Sequence, residues 1–290
     1  MASPDPLFTV RNNFYLGAYQ TAISDASHLT GLTGEQKLER DVFVYRSYVE
    51  LGSYEMVLSE IGPDAGPALS AVRLLAQYLK GGDAAGALEA VTAGLADPSS
   101  ASNPTFLWVA AQVRFLEGDV PGALAVAGPA RSLELLALSV QALLSIYRPD
   151  AAEKQLRTMS SLDDDATLTQ LATAWVGLAR GGARAREASA IFQELGDRFS
   201  WTPRLHAGLA AAQMRMGQWE EAEAELMQAT EKNPKDPDVL ANLVVVSLNL
   251  GKPATRHLAL LRDVAPRHAL LAKRDAAEEA FNRAASAVVA

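Results

Sequence analysis

A junction recurs along the length of this chain, at which a helix-like apolar stretch ends at a small residue and another begins at once. It reads Tyr15-Leu16-Gly17-Ala18-Tyr19, Glu50-Leu51-Gly52-Ser53-Tyr54, Lys80-Gly81-Gly82-Asp83, Leu116-Glu117-Gly118-Asp119, Arg215-Met216-Gly217-Gln218-Trp219 and Asn249-Leu250-Gly251-Lys252-Pro253. Ile146-Tyr147-Arg148-Pro149 is the same junction with its glycine replaced, and Ala179-Arg180-Gly181-Gly182-Ala183 is a blurred copy. Successive junctions stand roughly 29 to 36 residues apart, the period of stacked helix-turn-helix repeats. Glycine recurs because the residue just past a helix end takes a left-handed backbone, which only glycine adopts without a steric cost. Pro149 and Pro253 suit the first turn of the helix that follows.

The clearest unit runs from Pro203 to Asp236, with Leu209 and Ala210 in one helix, Gly217 and Trp219 at the turn, then Ala222, Leu226, Ala229 and Pro234. Small residues let two antiparallel helices approach and large ones fill the gap to the next repeat, which is the tetratricopeptide pattern. Trp175, Val176, Ala188, Phe192 and Leu195 fall in register before it, and Leu243, Val244, Gly251 and Leu260 after it. The expected fold is all-α: a tetratricopeptide-like α-solenoid of about eight helical hairpins plus a C-terminal capping helix. The expected organisation is a single array over residues 1–290, with 1–9 an extended tail and 270–290 the capping helix. Composition agrees, since hydrophobic residues make up 49% and alanine and leucine dominate them, a balance that favours helices.

A formal net charge of -8 argues against nucleic acid, whose phosphates need a positive field. The locally basic stretch Lys252 to Arg274 reads as the solvated face of a helix pair, with a membrane or acidic-protein patch as the alternative. With no cysteine, disulfides, zinc-thiolate sites and thiol catalysis are excluded. Met1 to Thr9 carries no signal-peptide pattern. The run Leu135 to Tyr147 is short of the roughly 20 residues that span a bilayer. The expectation is a soluble, cytosolic protein.

Candidate catalytic, cofactor and metal sites all fail. His28, His206, His257 and His268 are scattered, and His206 sits where a tetratricopeptide helix places a packed residue. Asp163 to Asp165 lacks the alternate ligands, central glycine and final glutamate of a calcium loop. Gly81 to Gly86 follows a helix rather than a strand, so it is a repeat turn and not a nucleotide cradle. Glu220-Glu221 and Glu278-Glu279 lie in exposed helical patterns that imply no pocket. The expectation is a non-enzymatic protein without catalytic, cofactor-binding or metal-binding residues.

Partner binding is the remaining function. In stacked units the first helix of each pair lines the inner surface. That frame selects Val42, Arg46 and Val49, then Val72 and Leu79, then Trp108, Gln112 and Phe115, then Gln141 and Leu144, then Met214, and finally Val245 and Leu248. Such a lining is largely apolar, with Trp108 and Phe115 as anchors, and implies a protein occupant. The alternative is that a tightly wound array buries these side chains between repeats. A carboxylate clamp of the co-chaperone kind is disfavoured, because its lysine and asparagine places hold Ala207 and Ala211.

The opening Asp5-Pro6-Leu7-Phe8-Thr9-Val10-Arg11-Asn12-Asn13-Phe14-Tyr15-Leu16-Gly17-Ala18-Tyr19-Gln20 closely resembles the start of the epsilon-COP family, the epsilon subunits of coatomer. Glu39-Arg40-Asp41-Val42-Phe43-Val44-Tyr45-Arg46-Ser47-Tyr48, Val57-Leu58-Ser59-Glu60-Ile61 and Asn242-Leu243-Val244-Val245-Val246-Ser247 are similar to the same family, in collinear order. The resemblance implies a cytosolic subunit of the COPI coat, used in retrograde Golgi-to-endoplasmic-reticulum and intra-Golgi transport. It implies the alpha-COP C-terminal domain as direct partner, with a projecting segment enclosed by the repeats, and the rest of coatomer as further partners. Membrane contact would then be indirect, on the cytosolic side of Golgi membranes. The competing reading is a tetratricopeptide adaptor or co-chaperone in another cytosolic complex.

Overall fold

The computed structural model describes residues 5–128 and 132–289, which contain helices and turns and no strand. The chain divides into two compact units, one ending at Arg180 and one beginning at Gly181. The first holds α1 (Phe8–Leu16), α2 (Tyr19–His28), α3 (Gly34–Glu50), α4 (Tyr54–Glu60), α5 (Pro67–Leu79), α6 (Ala84–Ala96), α7 (Pro98–Ala101), α8 (Pro104–Leu116), α9 (Val120–Ala127), α10 (Leu133–Ser145), α11 (Pro149–Leu162) and α12 (Thr167–Arg180). The second holds α13 (Ala183–Arg198), α14 (Pro203–Arg215), α15 (Trp219–Lys232), α16 (Pro237–Asn249), α17 (Thr255–Val264) and α18 (Ala269–Val289). In chain order these are the alternating helices of a tetratricopeptide-like α-solenoid, interrupted by the short α7 and ended by α18.

Local chemistry explains where the helices start. Asn103, Ser132, Thr202 and Asp236 accept first-turn N–H groups ahead of α8, α10, α14 and α16. Thr33 and Gln36 form a reciprocal capping box at α3. Pro67, Pro104, Pro203 and Pro237 begin their helices at the position where a missing N–H is harmless. Pro149 does the same for α11, whereas Pro253 falls outside α17, which begins only at Thr255. α1 begins at Phe8, inside the stretch expected to be an extended tail, and Leu7 is already buried. Residues 1–4 of that stretch lie outside the described residues.

The helices end where the junctions predict. Gly17, Gly52, Gly81, Gly118, Gly217 and Gly251 all have positive φ. At the junction without glycine, Tyr147 takes φ 58 and fills the same left-handed place.

Packing in each unit joins small residues to large ones. In unit 2, Ala210, Ala222, Leu226, Ala229, Val239, Leu243 and Val246 form one buried cluster, and each large side chain so buried stabilises the fold by about 1.5–3 kcal/mol. A Cβ placed on Gly208 would meet the Phe192 ring at 2.5 Å, so α14 reaches α13 at a distance only glycine allows. In unit 1 the repeats close back on their beginning. α1 packs against α12, Tyr15 lies on the cluster of Leu136, Val140 and Ala172, and the Thr167 hydroxyl donates to the Asn12 side-chain oxygen. α18 buries Leu271 in its first turn, and Phe281 further along it is 71% exposed.

Candidate partner-binding surface

α3 brings Val42, Arg46 and Val49 to one face, and unit 1 covers all three. Val72 on α5 is likewise fully enclosed. Those four members of the expected lining stand in the packing between helices, where a partner does not reach them without unpacking the unit. The remaining members differ. Trp108, Gln112, Phe115 and Leu144 are half-buried in unit 1, and Met214 and Val245 are half-buried in unit 2. Leu79 and Gln141 are exposed, as is Leu248 at 62%. Leu79, Phe115, Leu144, Met214 and Leu248 are the last or next-to-last residues of their helices, next to the turns, whereas Trp108 lies in the first half of α8.

Arg46 organises the inside of unit 1. Its guanidinium lies 3.9 Å from the centre of the Trp108 ring, 4.7 Å from that of Phe14 and 5.2 Å from that of Phe43. One of its terminal nitrogens pairs with Glu134 of α10 at 2.8 Å, while its Nε is buried without a hydrogen-bond partner among the described residues. Glu134 also accepts from the Tyr15 hydroxyl. Burial, and next the Glu134 charge, push the Tyr15 phenol well above its ordinary value of 10.0. One charged residue thus ties α1, α3, α8 and α10 together. The signal in the sequence was a lone arginine on an otherwise apolar helix face, between Val42 and Val49.

Arg46 also borders a cavity of about 570 Å³ in unit 1, lined by Phe8, Arg11, Leu38, Glu39, Thr105, Leu133 and Thr167 among others. A volume of this size admits side chains rather than a folded segment. First-turn residues of α1, α3, α5, α8, α10 and α12 all border it, so six helix N-termini open onto the same space. Each carries about half a positive charge. Against them stand the carboxylates of Asp5, Glu35, Glu39, Glu134 and Asp163, less the arginines Arg11 and Arg46. The two sets offset each other, so the cavity selects neither an anion nor a cation.

In unit 2, His206 is a packed residue. Its Nδ1 lies 2.8 Å from Glu225 and its ring stacks on Trp201. Among the described residues no group of three or more His, Asp or Glu is placed to hold a metal ion, and no helix is long and apolar enough to cross a membrane.

The profile of the family described as coatomer epsilon subunit matches residues 3–289. A rice (Oryza sativa subsp. japonica) protein named coatomer subunit epsilon-1 is 45% identical over 288 residues, which is 99% of this chain and 100% of that protein. A Dictyostelium discoideum coatomer subunit epsilon is 34% identical, covering 92% of this chain and 93% of its relative. Among solved structures, a tetratricopeptide repeat protein from Parabacteroides merdae superposes with a TM-score of 0.60 at 16% identity, over 82% of this chain and 96% of that one.

Proposed function

The chain belongs to the coatomer epsilon-subunit family, and on that premise we propose that it binds and stabilises the alpha-COP C-terminal domain within the COPI coat. Membership makes it a coatomer component of a structural, non-catalytic kind. The finer reading adds retrograde Golgi-to-endoplasmic-reticulum and intra-Golgi transport as its setting. It also places the chain on the cytosolic side of Golgi membranes, held there through other coat subunits.

The observation that supports a protein occupant is the set of apolar side chains still open at the inner-helix ends. Leu79, Phe115 and Leu144 in unit 1, and Met214, Val245 and Leu248 in unit 2, keep part of their surface in solvent. Gln112 and Gln141 lie among them as the polar members. Partly apolar surfaces of this kind gain most from burial against another polypeptide. Trp108 belongs to the same row but already stacks on Arg46, so its share in binding is to hold the row in shape.

The test is direct. The purified chain is mixed with the alpha-COP C-terminal domain and the mixture resolved by size, with titration calorimetry for stoichiometry. One-to-one complex formation is expected; separate elution at micromolar concentration contradicts the reading.

A further inference from the structure

We propose that Tyr147 is an anchor through which the partner grips the turn edge of unit 1, beyond the inner lining. This rests on the reading of the chain as the binder of the alpha-COP domain. Comparable turns close with glycine, at φ 87 for Gly17, 74 for Gly52, 104 for Gly81, 81 for Gly118, 77 for Gly217 and 68 for Gly251. Tyr147, at φ 58, is the one non-glycine residue with positive φ among the described residues. Its turn is otherwise ordinary. The Tyr147 N–H donates to the Leu144 carbonyl at 3.0 Å and the Arg148 N–H to the Leu143 carbonyl at 2.9 Å, matching the bonds that Gly118 and Asp119 make to Phe115 and Arg114. Nothing in that hydrogen bonding calls for an aromatic side chain.

A tyrosine held left-handed sets its Cβ against the backbone, and the strain is normally offset by packing or by function. Here packing offers nothing, because Tyr147 is 81% exposed. Ile146, its neighbour in the chain, is also exposed, and so is Leu116 at the preceding turn. α8 and α10 pack together, which puts both turns on one edge of the unit. Of the adjoining charges, Arg148 grips Asp150 through two bonds at 2.8 and 2.9 Å, and the exposed Glu117 carboxylate accepts from the Tyr78 hydroxyl at 2.5 Å. The edge is therefore an apolar strip of Leu116, Ile146 and Tyr147 with the Glu117 carboxylate beside it.

The occupant follows from continuity. Leu116 follows Phe115 in the chain and Ile146 stands two residues after Leu144, so a polypeptide seated on the proposed lining has the Tyr147 turn within reach. The matching surface on the partner is an apolar hollow with an acceptor for the phenol O–H, the way tyrosine is used at interface centres.

The experiment compares the full-length wild type with Tyr147→Gly and Tyr147→Phe, each titrated with the alpha-COP C-terminal domain and each melted alone. Tyr147→Gly is expected to bind at least about tenfold more weakly, and to melt no lower than wild type because glycine relieves the left-handed strain. Tyr147→Phe keeps the ring and is expected within about threefold of wild type, the phenol bond being the smaller share. Unchanged affinity of Tyr147→Gly overturns the proposal, as does a melting point well below wild type, which makes the ring structural. A wild-type chain that does not bind the domain overturns the functional reading as well. Binding of the wild type but not of Tyr147→Gly to phosphatidylcholine vesicles would replace the protein occupant with a lipid surface.

Discussion

Arg46 on α3 and Glu134 on α10 pair at 2.8 Å inside unit 1, with the arginine side chain only 4% exposed. The pair spans the interior instead of linking neighbouring repeats. With the Tyr15 hydroxyl on the same carboxylate and Asn12 meeting Thr167, it joins the beginning of the unit to its end. A charge so enclosed is tolerable only because it is matched and stacked on three aromatic rings.

Removing one half of such a pair is costly. Arg46→Met keeps the bulk but leaves Glu134 without its cation, and is expected to destabilise unit 1 by about 3 kcal/mol. For a unit of this size that lowers Tm by roughly 6–12 °C, read by calorimetry. The double variant Arg46→Met with Glu134→Leu is expected to be more stable than Arg46→Met alone, since no charge is then stranded. A double variant that melts lower than the single one contradicts this account of the pair.

Tyr15 makes the same closure sensitive to alkali. Its folded pKa is raised above the unfolded value of 10.0, so its contribution is complete below pH 10 and is lost as pH climbs through the folded pKa. Chemical denaturation from pH 8 upward is expected to show stability falling once pH passes about 10. In Tyr15→Phe the starting stability is lower by about 1 kcal/mol, for the lost hydroxyl bond, and the alkaline slope is shallower. Identical slopes in both proteins would remove Tyr15 as its source.

Close packing in unit 2 has its own test. Gly208→Ala drives a methyl group into the buried Phe192 ring, and is expected to cost about 1–3 kcal/mol of stability. Pairing it with Phe192→Leu should recover part of the loss. Failure of any recovery places the strain elsewhere.

The junction glycines were legible because a left-handed backbone leaves a mark on composition: Gly52, Gly118 and Gly217 announce helix ends without any knowledge of tertiary structure. The repeat fold and the family followed from that spacing and from strings such as Asn12-Asn13-Phe14-Tyr15. Arg46, Val42, Val49 and Val72 were harder. Periodicity assigns a residue to a face of its own helix, but what covers that face depends on how rotation accumulates from repeat to repeat, and α1 returning to α12 is a sum over all the repeats between them. Tyr147 hid for the opposite reason. It sits where a glycine was expected, and a substituted turn reads as a degenerate repeat until its φ and exposure are known.

Leu248 separates binding from folding in unit 2. It is 62% exposed, so Leu248→Asp is expected to change stability by no more than about 0.5 kcal/mol. The same variant is expected to weaken the alpha-COP complex about tenfold or more, measured by competition against the wild-type chain. Equal competition by variant and wild type removes Leu248 from the surface.

On the function proposed above, this family member holds another protein. Titration of the full-length chain into the purified alpha-COP C-terminal domain tests it most directly. A saturable one-to-one complex is expected, with Kd below about 1 µM, or more than about 8 kcal/mol of binding free energy. No detectable heat and no co-elution at tens of micromolar would contradict it.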